Sequence, residues 1–477
     1  MGWSLPDVPA RPDAKPWSPW VCLSITFTGV FIALVRVVLH SPSGDLPALA
    51  SGYWLPLTGY TLVGVTTAIT FYLLWWEIQL FLVCNWNNWR RNMHLAWQHQ
   101  AHQHLCVVRH AVLTADPQLL PHLAGGVTEH RDEASPLTLA TDESLIPGIS
   151  RFEQLCLQLI RQFRASLIQR CPSGQMTVLI QTTSPDKERE RVIFARLWAD
   201  EALPWTPTIH VLPHGLLCND WNERLPATNS PLLVLALHYR QPEENLPEFA
   251  CALLLLPEAM LKSSERRDAV RLFRAMPLNT GALPRELAEL RDMAQQPAGR
   301  KHLVWHSGLS SSSAQALGRV VNELPLPLHA DIATGGIIDF AKISADYGSL
   351  AGWLMVAAAT EMVNYGPGNH WLLQADDKQA CAMVVGNSPP VIRDEEVRLS
   401  PLPYPAGALC LAVLLNIAAF GAVARFFPDW LFSWSGVLSV LLSLAITLPG
   451  AVFFLRRTIT YLQRPRFIQA ARLARKE

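Results

Sequence analysis

The sequence predicts an α/β domain flanked by two transmembrane α-helical hairpins. Four long apolar runs come in two pairs, Trp20–Leu39 with Leu55–Val83 and Gly407–Phe427 with Trp430–Leu455. A helix needs roughly 20 apolar residues to cross a hydrocarbon core of about 30 Å, and each run is that long. Between the pairs, short β-rich apolar runs alternate with helical-period stretches, the pattern of buried strands in an α/β core. The two short connections, Ser41–Trp54 and Pro428–Asp429, hold no Lys or Arg, while basic residues flank the other ends of the runs.

The basic flanks set the expected orientation. Arg11 and Lys15 precede the first run, and Arg90 and Arg91 follow the second. Arg456, Arg457, Arg464, Arg466, Arg472, Arg475 and Lys476 follow the fourth. Basic flanks stay on the cytoplasmic side. Both termini and the central domain are therefore expected inside an inner membrane, with two short loops outside. No cleavable signal peptide is expected, since the first run lacks a small-residue cleavage pattern after it. The expected segments are 1–19 (cytoplasmic), 20–84 (first hairpin), 85–150 (juxtamembrane connector), 151–400 (α/β domain), 401–455 (second hairpin) and 456–477 (basic tail).

Polar groups in the runs have two readings. Arg36 and Arg425 fall near outer ends, and Glu77 near an inner end, where long side chains snorkel to the interface. An ion relay would need charges nearer the midplane. Asn416 lies there, and a single Asn more often bonds across helices. Many of the 17 Trp, among them Trp20, Trp54, Trp75, Trp76, Trp430 and Trp434, sit at run ends as an interfacial belt would.

Composition excludes one function class. Half the residues are hydrophobic, 16% are charged and the formal net charge is +0, so no basic face marks a nucleic-acid partner. The 9 Cys form no CxxC pair and are expected to be free thiols in a reducing compartment.

The central elements follow in order. Thr177–Thr182 reads as a strand, Glu188–Ala199 as a helix and Ile209–Leu212 as a short strand. Pro231–Tyr239 is apolar almost throughout and reads as a central strand, paired with Phe249–Leu256. His302–His306 is a strand and Ala314–Leu324 a helix. Ser349–Val363 is a helix rich in small residues, and Trp371–Ala375 with Ala380–Val385 reads as a closing hairpin. Ala115–Ser150, rich in Pro, Gly, Thr and acids, reads as an irregular connector. No sequence repeat is evident.

Two stretches carry a resemblance. Ala333–Val363 (ATGGIIDFAKISADYGSLAGWLMVAAATEMV), followed by two strands, resembles the C-terminal half of a thiolase or ketoacyl-synthase fold. Pro231–Ala259 resembles that fold's paired central strands. The resemblance covers about Thr177–Val385. It implies a nucleophilic Cys at a strand-to-helix elbow and a His partner. Cys218, in LPHGLLCNDWNE, lacks the small residues of such an elbow. Tyr347 stands where a His would follow the glycine turn, and the next His is His370. The resemblance thus implies a degenerate member without the chemistry. The whole layout also resembles inner-membrane proteins encoded beside bacterial type VI secretion genes.

His99, His102, Cys106 and His110 would share one face of a helix and could then hold zinc. Leu105–Leu113 is β-branched enough to be a strand, which would scatter them. Trp305–Ser313 (WHSGLSSSS) offers His306 and Ser307, but no GxSxG elbow and no acid partner; the serines read as a helix N-cap. His329–Gly336 (HADIATGG) matches neither the P-loop nor GxGxxG, and a backbone turn explains it. The basic tail suits an anionic leaflet, with Pro465 expected to split it into two segments.

The expectation is therefore a non-catalytic scaffold or adaptor. Its partners are membrane lipids and other proteins of an inner-membrane assembly, with a homo-oligomer left open. No catalytic, metal or cofactor-binding residue is assigned, and no cofactor. The alternatives are a membrane-bound acyl-transfer enzyme of thiolase-like fold, or an oligomeric transporter. The runs lack the paired Gly/Pro interruptions of a transport site.

Overall fold

The computed structural model describes residues 8–40, 51–115, 119, 139, 148–171, 174–213, 215–216, 218–225, 229–239, 246–297, 299–329, 336–344, 347–365, 368–376, 379–390 and 399–474. Most of the connector expected at Ala115–Ser150 and most of the His329–Gly336 turn lie outside these residues. In chain order the principal elements are α1 (Pro19–His40), α2 (Ser51–Ala101), β1 (His104–Thr114), α3 (Arg151–Arg170), β2 (Gln175–Thr182), α4 (Lys187–Asp200), β3 (Thr206–Val211), α5 (Cys218–Arg224), β4 (Leu232–His238) and β5 (Phe249–Leu256). There follow β6 (Val270–Phe273), β7 (Met276–Leu278), α6 (Leu283–Asp292), β8 (His302–Ser307), α7 (Ser311–Glu323), β9 (Ile337–Asp339), α8 (Ala351–Tyr365), β10 (Asn369–Ala375), β11 (Ala380–Gly386), α9 (Ala406–Phe426) and α10 (Trp434–Ala474). The chain divides into two compact units, one built from 96–393 and the other from 5–95 with 394–477.

The first unit holds an 11-stranded sheet in the order β3-β2-β4-β5-β1-β6-β11-β10-β8-β9, with β7 on β11. Its two flanks repeat one plan. β2 pairs in parallel with β3 and β4, and β4 pairs antiparallel with β5. β8 pairs in parallel with β9 and β10, and β10 pairs antiparallel with β11. β1 and β6 join the flanks through antiparallel pairings. A bulge at Val107/Arg109 interrupts the β1–β5 register.

Both faces of the central strands are covered, which explains their unbroken apolar sequence. Leu232, Val234 and Ala236 face the layer containing α8, while Leu233, Leu235 and Leu237 face α3 and α4. α8 is built from small residues because it is buried on all sides: Gly352 packs so closely that a Cβ there would lie 2.2 Å from Gln374 Oε1. α3 starts on a capping box formed by Ser150 and Glu153.

Among the described residues of the second unit, four helices are long and apolar enough to cross a membrane. The Glu77 carboxylate accepts a bond from the Ala408 amide (2.9 Å) at the start of α9. A Cβ at Gly407 would lie 2.3 Å from Leu74 Cα, so α2 and α9 approach backbone to backbone. Asn416 Nδ2 donates to Thr447 Oγ1 (2.7 Å) and Oδ1 accepts from Ser443 (2.6 Å), the interhelical use expected of it. α10 runs through Pro465, against the expected split. Contacts on either side hold it: Gln463 Nε2 donates to Leu82 O (2.6 Å), and Phe467 packs on Trp86 and Trp89 at 5.1 and 5.4 Å. Such packing offsets the roughly 3 kcal/mol that an interior Pro costs.

Candidate active site

Open parallel sheets bind ligands where the chain leaves neighbouring strands in opposite directions. β8 is such a strand, with β9 on one side and β10 on the other, and His306, Ser307 and Gly308 close its carboxyl end. His306 is level with Asp339 of β9. Burial lowers the His306 pKa; the Asp339 charge opposes this and Lys342 adds to it. Lys342 Nζ lies 3.1 Å from Asp339 Oδ2. The imidazole is therefore neutral near pH 7 and able to take a proton. Gly308 has φ +71° and a Cβ there would lie 2.1 Å from Ala375 O, so only glycine fits. Beyond it, Ser310 caps α7 by accepting from the Ser313 amide (3.3 Å), as expected of the serine run.

Successive strand residues point to opposite faces, so Ser307 and His306 are not a nucleophile–base pair. Ser307 is in register with Gln374, and Gln374 with Cys381. Gln374 Nε2 donates to Ser349 O (2.6 Å), tying this row to the turn before α8. Cys381 is disulfide-bonded, so the expectation of free thiols fails there; seven others are free.

α8 links this end to its counterpart in the other flank. Trp353 Nε1 donates to Gln181 Oε1 (2.9 Å) at the carboxyl end of β2, and Gln181 Nε2 donates to Pro213 O and Gly215 O (both 2.9 Å). Trp353 also meets Trp221 of α5 edge to face at 6.1 Å. Cys218 is the first residue of α5. On the other face of the sheet, Glu190 accepts from Thr182 and Tyr239 (both 2.7 Å). Burial raises the Glu190 pKa against those bonds, and burial also takes Tyr239 to about 12. Sequence reading passed over Gln181, Gln374 and Glu190. For the two glutamines the signal was an amide near the carboxyl end of an apolar strand.

The other candidates separate. His99 is in α2, His102 Nε2 lies 2.8 Å from Met293 O, and Cys106 and His110 are on β1. His110 contacts Glu361 (2.9 Å). Among the described residues no group of three or more His, Cys, Asp or Glu is placed to hold a metal. His370 Nδ1 accepts from Trp305 Nε1 (3.1 Å) inside the core, and Tyr347 packs on Phe249.

No protein-family model matches the chain, and no curated protein matches it in sequence. Solved structures do. The chain is similar to a type II PKS ketosynthase solved with its acyl-carrier protein (AntDE:AntF), at 10% identity and TM-score 0.42, over 60% of this chain and 99% of that one. It is similar to OleA of Xanthomonas campestris at 12% identity and TM-score 0.37, with the same coverage. It is also similar to the ishigamide ketosynthase/chain length factor at 13% identity and TM-score 0.39, again over 60% and 99%. At that distance the likeness concerns the layout of sheet and helices. The sheet of this chain is mixed, with parallel and antiparallel pairings. The expectation of a non-catalytic scaffold or adaptor does not hold against these matches. The matching structures are ketosynthases and OleA, not scaffolds or adaptors. Nothing in these matches bears on type VI secretion.

Proposed function

We propose that the chain is a membrane-anchored acyl-transfer enzyme working at the carboxyl end of β8. The observation that carries this is His306, a buried, neutral imidazole beside Asp339 at the strand where the second flank diverges. Its role is to take the proton from an acceptor as the acceptor attacks an acyl thioester, and general-base catalysis of this kind contributes about 10²–10⁴-fold. Asp339 is a positioning residue that favours the imidazolium formed. The spanning helices keep the domain at an inner membrane, with both termini and the domain on the cytoplasmic side. Membrane lipids, other proteins of the same assembly and a second copy of the chain are the partners this reading carries.

The test uses full-length protein in mild detergent with lauroyl-CoA, following release of the CoA thiol. Wild type should release it well above buffer. His306→Gln should lower the rate about 10²-fold or more at unchanged melting temperature. Wild-type release no faster than buffer would overturn the enzyme.

A second reading is a domain that binds acyl groups without turning them over. Thiol chemistry favours it. Burial pushes the Cys106 thiol up to about 12 and Cys171 up to about 11, and raises Cys156 and Cys251 as well, so these four are poor nucleophiles. Saturable lauroyl-CoA binding without thiol release would support this reading.

A further inference from the structure

Between α1 and α2 runs a groove of about 620 Å³ within the apolar part of both helices. Thr28, Gly29 and Ile32 of α1 face Tyr60 and Gly64 of α2 across it, and Arg36 closes one end. The groove exists because Gly29 lets the helices touch on one side: a Cβ there would lie 2.2 Å from Val65 Cγ2. At the residue of α2 beside Val65 the wall is open, and a Cβ at Gly64 would meet nothing within 4 Å. The two threonine hydroxyls in the wall are satisfied within their own helices, Thr28 to Ser24 O (2.8 Å) and Thr61 to Leu57 O (2.8 Å). Most of the remaining wall is apolar, from Val21, Ile25, Ile32, Leu57, Val65 and Ala68.

Arg36 stands about 25 Å along α1 from Pro19 by the helical rise. That is the depth at which a cationic side chain reaches the phosphate layer of the outer leaflet. Tyr60, 73% exposed, stands beside it with the apolar ring and polar tip typical of the interface. An apolar slot of acyl-chain dimensions that ends in a guanidinium and a phenol matches an amphiphile with an anionic head.

We propose that this groove is a binding site for an anionic phospholipid, one acyl chain lying against Gly64 and Ile32 and the phosphate at Arg36. This rests on the reading of α1 and α2 as membrane-spanning, so the two are tested separately. Resistance of the protein to alkaline extraction from membranes tests spanning alone. For the site, purified full-length protein is examined by native mass spectrometry after exchange into nanodiscs of phosphatidylglycerol or phosphatidylcholine. Wild type should retain a phosphatidylglycerol molecule and release phosphatidylcholine. Arg36→Gln should lose that preference at least tenfold. Gly64→Phe, which fills the open wall without a backbone clash, should abolish retention. Gly59→Leu, equally open but outside the groove, should retain lipid like wild type. Equal retention of both lipids, or retention unchanged in Arg36→Gln and Gly64→Phe, would overturn the site. A Gly64→Phe variant that changes oligomeric state and not lipid retention would make the groove an interface between copies and also overturn it.

Discussion

Arg271 is 1% exposed, yet its guanidinium is well supplied. It donates to Glu258 (2.9 Å), Asn387 O (2.8 Å), Ala269 O (3.1 Å) and Arg266 O (2.6 Å). Glu258 in turn lies 3.0 Å from His104. Arg271→Ala leaves three backbone carbonyls without this donor, and Glu258 itself stays partly exposed, so the change should cost about 1–3 kcal/mol in denaturant unfolding. Arg271→Lys should recover little, since one ammonium cannot reach four acceptors. Histidines set the pH response. Burial lowers the pKa of His102, His302 and His306 below the ordinary 6.5. A lowered folded value gives stability that is present above 6.5 and lost as pH falls below it through the folded values. The melting temperature should therefore drop between about pH 7 and pH 5. His302→Gln should flatten that slope, and an unchanged slope would refute the assignment.

At the scale of elements, α8 is the most constrained. Ala357, Ala358 and Ala359 are at most 1% exposed. Ala358→Leu inserts three carbons into a closed layer and should cost about 1–3 kcal/mol or more. Ser150→Ala removes the cap of α3 and should cost only about 1 kcal/mol, measured by the same unfolding curves. Much of this level was legible in the sequence. Phe249–Leu256 is a strand over the residues expected, and Pro231–Tyr239, His302–His306 and the closing hairpin differ from β4, β8, β10 and β11 by a residue or two at their ends. These are apolar, β-rich runs buried on both faces, where local pattern and tertiary demand agree. β6 and β7 escaped because 4 and 3 residues are too few to show a period. The candidate site was less legible. His306 was visible, but its partner Asp339 lies on another strand, and only parallel pairing sets them level. Pro465 misled because sequence shows the missing amide and not the Trp86 and Trp89 packing that holds the helix.

The whole molecule combines a repeated α/β plan with four described helices long and apolar enough to cross a membrane. The duplication left no repeat in the sequence, because a pairing scheme needs only apolar strands of suitable length and not matched residues. Orientation is tested directly. A periplasm-active reporter fused after Ala48 should be active, and one fused after Pro390 silent. Activity at Pro390 would reverse the proposed topology. The position of β1 has a practical outcome for anyone preparing the domain by itself. This strand follows α2 after two residues, yet it is what holds the two flanks in one sheet, pairing Cys106–Thr114 with β5 and His104–Val107 with β6. A fragment cut at the start of α3 would bare the ladder edges of β5 and β6 together, and unpaired edges seek other chains. Such a fragment should elute from size exclusion as aggregate. One beginning at residue 96 should run as a discrete species, so a soluble preparation has to carry the last turn of a helix whose earlier part is long and apolar enough to cross a membrane.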